Sequence, residues 1–482
     1  MITLTLSEQI ELLKTKKMSS KELTLSYINQ IDSHNKHINA LISFDEENAL
    51  AQAEIADKRI NEGSSEALTG IPIIHKDNLC TTAFMTTAGS RILKDFIPPY
   101  NAHVVQKTLD QNMVVLGKAS CDEFAMGSTN ETSYYGNVLN PYSYKHVPGG
   151  SSGGSAASVA ANFAPLATGS DTGGSVRQPA SYCNLTGLKP TYGLVSRFGL
   201  IAFASSLDQV GPMARSALDC AYLMDVISGY DPKDSTSIAN TSISFVDDVL
   251  STHKKSLRIG IPKQLETIKF DAAVERVFQE TIKRLEAMGH TITTVDLNTL
   301  KYAVPAYYVI APAEASSNLA RYNGSLYGYR AKSDTLSQMY KKTRTEGFGS
   351  EVKRRVMIGS FVLSKGFQGQ YYEKALNVKK LFASEFNALF QTVDFMLTPT
   401  TSSKPLTFNR FSDPVKVYET DALTIPANLV GLPAVSFQGG FENNLPIGMQ
   451  LIGNHLSDAQ LLKIVHDFQQ ETDFHLQQPQ MN

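Results

Sequence analysis

Three side chains in this sequence have types and settings suited to acyl chemistry: Lys76, Ser151 and Ser175. Ser151 lies in the run Gly149-Gly150-Ser151-Ser152-Gly153-Gly154-Ser155, and Ser175 closes Gly169-Ser170-Asp171-Thr172-Gly173-Gly174-Ser175. Glycine is used where backbone approaches something closely or takes φ > 0, so hydroxyls held in such turns are candidates for chemistry. A serine hydroxyl is a poor nucleophile at neutral pH and needs a base beside it. No histidine is convincingly placed: there is no His-Glu-x-x-His, and His75 merely precedes the lysine. A neutral lysine could serve. Its pKa would have to fall from about 10.4 to near 7, about 4 kcal/mol of differential solvation. Burial behind Ile71, Ile73 and Ile74 could supply that shift. A second serine could relay the proton where base and nucleophile do not touch.

The second loop also offers an oxyanion hole. Thr172, Gly173, Gly174 and Ser175 can direct successive backbone N–H groups at one point, because two of them carry no side chain. One such donor is typically worth ~10²–10³ in rate. General-base catalysis is worth a comparable ~10²–10⁴, so neither effect alone suffices.

Simpler readings exist for each feature. A lone lysine after an apolar strand is usually a surface or snorkelling residue. A Gly/Ser run is often a linker, and Ser175 could simply cap a helix. Glycine loops before helices also bind phosphate, which would make the chain a binding module instead of an enzyme. Against that, there is no Gly-x-x-x-x-Gly-Lys-[Ser/Thr], and Gly347-Phe348-Gly349 has Val352 where a third glycine would stand. On these residues alone both classes stay open.

The elements that must position these groups are partly legible. Residues 71–74 form a short β-branched strand ending at His75-Lys76-Asp77. A helix-forming run over 156–161 follows the first glycine loop, and a short apolar strand through Leu166 and Ala167 precedes the second. Ser7 reads as the N-cap of a first helix, and Ser19 to Glu22 fits a capping box. Further strands are expected over 38–44, 113–116, 257–261, 290–297, 395–397, 434–437 and 447–452. Helices are expected over 47–60, closed by Gly63, along the face of Val274, Val277, Phe278, Ile282 and Leu285, across 318–355, and over 457–470. The polar stretch 231–243 reads as a surface connection. Alternation of strand and helix predicts an α/β fold with a largely buried sheet.

Composition sets the outer limits. The 482 residues are 42% apolar, ample for a sizeable core, and no polar linker forces a domain split. One domain is expected over 1–482: helices over about 1–65 packing on the core, a catalytic core over about 66–225, and the rest of the sheet with substrate-side helices over about 250–482. The 44 basic and 46 acidic residues leave a formal charge of −2, so no global basic field argues for nucleic-acid binding. Four widely spaced cysteines (Cys80, Cys121, Cys183, Cys220) read as buried thiols of a reduced, cytoplasmic protein. No signal peptide is indicated, and no run approaches the ~18 apolar residues of a membrane span.

Pro148-Gly149-Gly150-Ser151-Ser152-Gly153-Gly154-Ser155-Ala156-Ala157, followed by Gly169-Ser170-Asp171-Thr172-Gly173-Gly174-Ser175-Val176-Arg177-Gln178-Pro179-Ala180, resembles the core of the amidase signature family. The resemblance implies a central mixed sheet covered by helices on both faces, and amide hydrolysis by a Ser–cis-Ser–Lys triad. Ser175 would be the nucleophile, Ser151 the bridging serine after a cis peptide bond, and Lys76 the base. Residues 121–131, 192–197, 315–322 and 351–357 narrow the likeness to one group in that family, the glutamine-hydrolysing subunits of tRNA-dependent amidotransferases. That implies cleavage of free glutamine through a glutamyl ester on Ser175, with ammonia passed to a B subunit. The B subunit uses ATP and Mg to amidate mischarged aminoacyl-tRNA, Glu-tRNA(Gln) or also Asp-tRNA(Asn), and a small C subunit wraps around this chain. No cofactor or metal is implied in the chain itself. Two positions depart from the family pattern without touching the triad: Tyr142-Ser143 after Asn140-Pro141, where an aromatic-acidic pair is common, and Gln438, where proline is usual.

Free glutamine carries an α-carboxylate and an α-ammonium, so a specific site needs one cation and one anion. Arg355 is the candidate for the carboxylate, since its planar fork binds bidentately. Asp421 is the candidate for the ammonium. The resemblance supports both and adds Tyr308 and Ser128. Alternatively, Lys353-Arg354-Arg355 is a solvated helix face, the preferred reading for Arg354, and Asp421 is an N-cap before Leu423-Thr424-Ile425. The competing enzymatic reading is a stand-alone amidase for a small amide.

Overall fold

The apolar run that ends at Lys76 becomes a strand buried along its whole length, and ten more strands join it in one sheet. The computed structural model describes residues 1–239, 243–252, 256–411 and 413–481. Its strands are β1 (Leu41–Phe44), β2 (Pro72–Lys76), β3 (Val114–Ala119), β4 (Leu166–Asp171), β5 (Thr186–Lys189), β6 (Gln209–Ala214), β7 (Arg258–Pro262), β8 (Thr291–Val295), β9 (Phe395–Pro399), β10 (Ala434–Glu442) and β11 (Leu445–Gly453). They lie in the order β1-β3-β2-β4-β6-β5-β10-β11-β9-β7-β8. β2 runs parallel to β3 and β4, and β7 parallel to β8 and β9, while the other neighbours are antiparallel. The fold is therefore a single α/β domain on a mixed sheet, as expected.

Helices cover both faces. Successive strand residues point to opposite sides. On one side, Gln450 of β11 accepts a hydrogen bond from Arg177 of the helix Arg177–Tyr182 at 2.6 Å. One residue earlier, Met449 pairs with Phe437 of β10, whose ring meets Phe468 of the helix Asp458–Gln470 at 5.2 Å. The centre of the sheet is thus a buried layer between helices, which is why β2, β3, β4 and β6 read as continuous buried runs.

Several boundaries differ from expectation for identifiable reasons. The first helix is capped by Thr5, not Ser7: Thr5 and Glu8 exchange a reciprocal capping box, and Ser7 lies inside the helix. The Ser19–Glu22 box is present as read. Ile38 closes a helix rather than opening a strand, and Asn39 in the left-handed region turns the chain into β1. The helix after the first glycine loop begins at Gly153, not Ala156, and takes in Gly154, a glycine because a Cβ there would lie 2.3 Å from the Ser120 carbonyl. Within 318–355 the α-helices are Leu336–Gly347 and Ser350–Val362; Asn318 ends an earlier helix, Leu319–Arg321 is a 3-10 turn, and the chain from there to Leu336 is irregular. The stretch 231–243 is anchored inward where described: Asp231 and Asp234 are buried, accepting from Ser196 and from the Arg197 amide. Residues 240–242 of that stretch lie outside the described residues. No helix among the described residues is long and apolar enough to cross a membrane.

Phe437 ties the sheet to its outer helix and is fully buried. Phe437→Ala is expected to lower unfolding free energy by about 3–5 kcal/mol, read as a shift of the urea midpoint.

Candidate active site

β2 and β4 run side by side and in parallel, with His75 opposite Thr168. Their carboxyl ends therefore deliver Lys76 and the segment 169–171 to the same edge, where open α/β sheets place ligands. Lys76 is fully buried. Its Nζ donates to Ser151 Oγ at 2.8 Å and to Ser170 Oγ at 2.9 Å, with the Ser170 carbonyl at 3.4 Å. Among the described residues no carboxylate forms an ion pair with it. Burial lowers its pKa to about 8, although Cys121, Asp122, Asp171 and Asp208 act in the opposite direction. Ser151 follows a cis peptide bond from Gly150, and a Cβ on Gly150 would lie 2.1 Å from Asp122 Oδ2. Ser175 is 7% exposed against 0% for Lys76 and Ser151, so of the three it is the one a ligand can reach. The Ser151 and Ser175 turns are stitched together by the Ser152 amide, which donates to the Ser175 carbonyl at 3.2 Å.

The Ser175 loop is held from beneath by one buried carboxylate. Asp171 accepts the amides of Gly174 at 2.8 Å, Val176 at 3.1 Å and Arg177 at 3.4 Å. Arg177 grips the same carboxylate with Nε and Nη2, both at 3.0 Å, and reaches on to the Thr424 carbonyl, Gln450 and Asn428. Burial alone would raise the Asp171 pKa, but the Arg177 guanidinium holds it well below the usual carboxylate range. Gly174 sits at φ +132°, with Thr424 Oγ1 only 2.3 Å from where a Cβ would be. Of the four amides expected to converge, that of Gly174 is thus already committed to Asp171. Those of Thr172 and Gly173, and that of Ser175, are not taken up by any hydrogen bond among the described residues. The Thr172 hydroxyl is held by Asp208 at 2.6 Å.

All four residues expected to bind substrate come together beside this loop. Asp421 accepts from Ser128 at 2.8 Å and from the Tyr308 hydroxyl at 3.1 Å. Burial raises the Asp421 pKa to about 7, against these two hydrogen bonds. Arg355 is buried, with its guanidinium 5.1 Å from the Tyr308 ring and 5.3 Å from that of Tyr418, which stack on each other at 3.8 Å. Arg355 Nε donates to Glu351 at 2.7 Å. Asp421 is not a side-chain N-cap: the following helix, Ile425–Val430, starts after Thr424. Arg354 is half-exposed and pairs with Glu351. The Thr424 hydroxyl links the two halves, donating to the Gly173 carbonyl at 2.6 Å, and the Tyr307 ring lies against Gly173.

The sequence did not single out Ser170 and Asn78. Asn78 donates to Ser170 Oγ at 2.9 Å, so that hydroxyl is set between the amide and Lys76. Both follow from the β2–β4 pairing, which residue spacing does not reveal. His75 is excluded as a base on its own account. It is locked between Thr168 and Thr108 hydroxyls, and burial, with Lys118 nearby, lowers its pKa to about 3.

A mixed α/β sheet thus brings a buried lysine and two serines on glycine turns together at its carboxyl edge. The chain belongs to the amidase family, whose family model, Amidase, matches residues 22–462. It is 52% identical over 475 residues to the A subunit of glutamyl-tRNA(Gln) amidotransferase from Acinetobacter baumannii, covering 98% of this chain and 96% of that one. It is 50% identical over 479 residues to the protein of the same name from Coxiella burnetii, covering 99% of both. The crystal structure of the glutamyl-tRNA(Gln) amidotransferase A subunit from Thermotoga maritima superposes with a TM-score of 0.81 at 37% identity, covering 99% of this chain and 98% of that one.

Removing Arg177 would strand a buried carboxylate. Arg177→Met is expected to cost about 3–5 kcal/mol of stability, checked by denaturant unfolding at pH 7.

Proposed function

We propose that this chain is the glutaminase subunit of a tRNA-dependent amidotransferase, cleaving glutamine at Ser175. The observation that carries the reading is the Lys76 amine, buried, in no ion pair among the described residues, and 2.8 Å from Ser151 Oγ. The full-length similarity to glutamyl-tRNA(Gln) amidotransferase chains supports the choice of glutamine.

In its neutral form Lys76 takes a proton from Ser151, which takes one from Ser175 as that oxygen attacks the side-chain carboxamide carbon. The oxyanion forms against the loop amides. Thr172, Gly173 and Ser175 serve, without Gly174, whose N–H is held by Asp171. Collapse breaks the C–N bond. The proton returns through Ser151 to the nitrogen, ammonia leaves, and a glutamyl ester remains on Ser175 for water to hydrolyse. Arg355 receives the α-carboxylate, Asp421 the α-ammonium, and Ser128 and Tyr308 hold the Asp421 carboxylate in place. A B subunit consumes the ammonia, using ATP and Mg to amidate Glu-tRNA(Gln), with Asp-tRNA(Asn) as a second acceptor. A C subunit completes a cytoplasmic heterotrimer.

In the complex with B and C, Ser175→Ala is expected to abolish glutamine-dependent amidation and to spare amidation with supplied ammonium. Loss of both refutes the division of labour, and efficient hydrolysis of unrelated amides by the chain alone favours a stand-alone amidase.

The pH profile follows from two groups. Lys76 acts only when deprotonated, so kcat for glutamine hydrolysis should rise as pH increases through about 8. Asp421 binds an ammonium only when ionised, so KM should rise as pH falls through about 7. Steady-state kinetics from pH 6 to 9.5 separate the two limbs.

A further inference from the structure

One buried carboxylate outside the groups assigned above joins the catalytic turn to the substrate-side helix. Glu123 is 2% exposed. One oxygen accepts the Gly349 amide at 2.8 Å, and the other accepts the Ser90 hydroxyl. Gly349 is the N-cap of the helix Ser350–Val362, which carries Glu351 and Arg355, and has no side chain with which to cap it. A carboxylate at this end also meets the positive pole of the helix. The preceding residue, Asp122, donates its amide to the Ser151 carbonyl at 3.1 Å. Two consecutive residues thus grip two different parts of the site: Asp122 the Ser151 turn, Glu123 the start of the Arg355 helix.

The fit is close. A Cβ on Gly349 would lie 2.4 Å from Glu123 Oε2, and the Phe124 ring packs against Phe348 at 5.6 Å. This accounts for Gly349 of the Gly347-Phe348-Gly349 motif without a phosphate: the helix N-terminus is filled by the protein's own carboxylate.

We propose that Glu123 is a positioning residue that fixes Arg355 relative to the Ser151 turn and so sets the affinity for the substrate's α-carboxylate. The inference rests on the glutaminase reading above. In the complex with B and C, Glu123→Ala is expected to raise KM for glutamine about tenfold, with kcat within about twofold and ammonium-dependent amidation unchanged. Glu123→Gln should recover most of that loss, since its carbonyl can accept from Gly349 while its amide donates to Ser90. Gly349→Ala pushes on the same contact from the helix side and should reproduce the KM rise, including where Glu123→Ala does not fold. A wild-type complex without glutaminase activity overturns the underlying reading. An active wild type with unchanged KM in the variants overturns the role of Glu123, as does an equal fall in kcat and kcat/KM, or a Glu123→Gln as impaired as Glu123→Ala.

Discussion

A lysine amine held in a buried interior, with two hydroxyls and a carbonyl as its hydrogen-bond partners, is the constraint around which this molecule is arranged. Two other buried cations are given counter-charges: Arg177 meets Asp171 at 3.0 Å, and Lys118 has Asp77 at 3.6 Å. Lys76 has Ser151 and Ser170 instead. A carboxylate in that place would stabilise the ammonium and keep the amine charged. Burial without a counter-charge does the reverse, and it is the β-branched β2, enclosed on both edges by β3 and β4, that provides the burial. Lys189 shows that burial is not sufficient. It is equally enclosed and its pKa falls to about 7, yet its amine donates to the Pro190 carbonyl and meets no hydroxyl on a glycine turn.

The charge withheld from Lys76 reappears one turn away, where it does mechanical service. Asp171 closes β4 and binds three loop amides together with Arg177, so the loop bearing Ser175 has little freedom left. That arrangement also explains a mismatch between pattern and geometry. Glycines at 173 and 174 suggest two donors free for a ligand. Gly174 is glycine for another reason: its φ of +132° and the nearby Thr424 hydroxyl leave no room for a Cβ.

What could be read from residues alone divides along the range of the interactions. The strand before Lys76, the capping box at Ser19 and the left-handed stop at Gly63 are local, and they stand close to where they were placed. β5 and β6, each central in the sheet, went unread because they are short and set among glycines, without alternation. The helix Ala303–Asn318 is apolar on several sides and buried, so it shows no stripe of helical period. Ser170 and Glu123 escaped for a different reason. One depends on the pairing of β2 with β4, the other on a contact with Gly349, far away in the chain. The assembly of Arg355, Asp421, Ser128 and Tyr308 is equally non-local; the family resemblance and the two charges of glutamine suggested it, and no spacing did.

That assembly has its own electrostatic logic. Arg355 and Asp421 form no ion pair with each other among the described residues, although both are buried in one cluster. Each has its own direct partners: Arg355 has Glu351, which also accepts the Tyr418 hydroxyl at 2.7 Å, and Asp421 has the hydroxyls of Ser128, Tyr308 and Thr420. A direct Arg355–Asp421 pair would have to be broken before a zwitterion could enter, at the cost of uncovering two buried charges. Separate balancing leaves the cation and the anion each with unused capacity, one in a planar fork and one in a carboxylate raised toward neutrality by burial. A ligand that brings opposite charges at the right spacing can then satisfy both at once, whereas an uncharged amide satisfies neither. On the proposed reading, selectivity for an amino-acid amide over other amides would follow from how the site keeps its two charges apart.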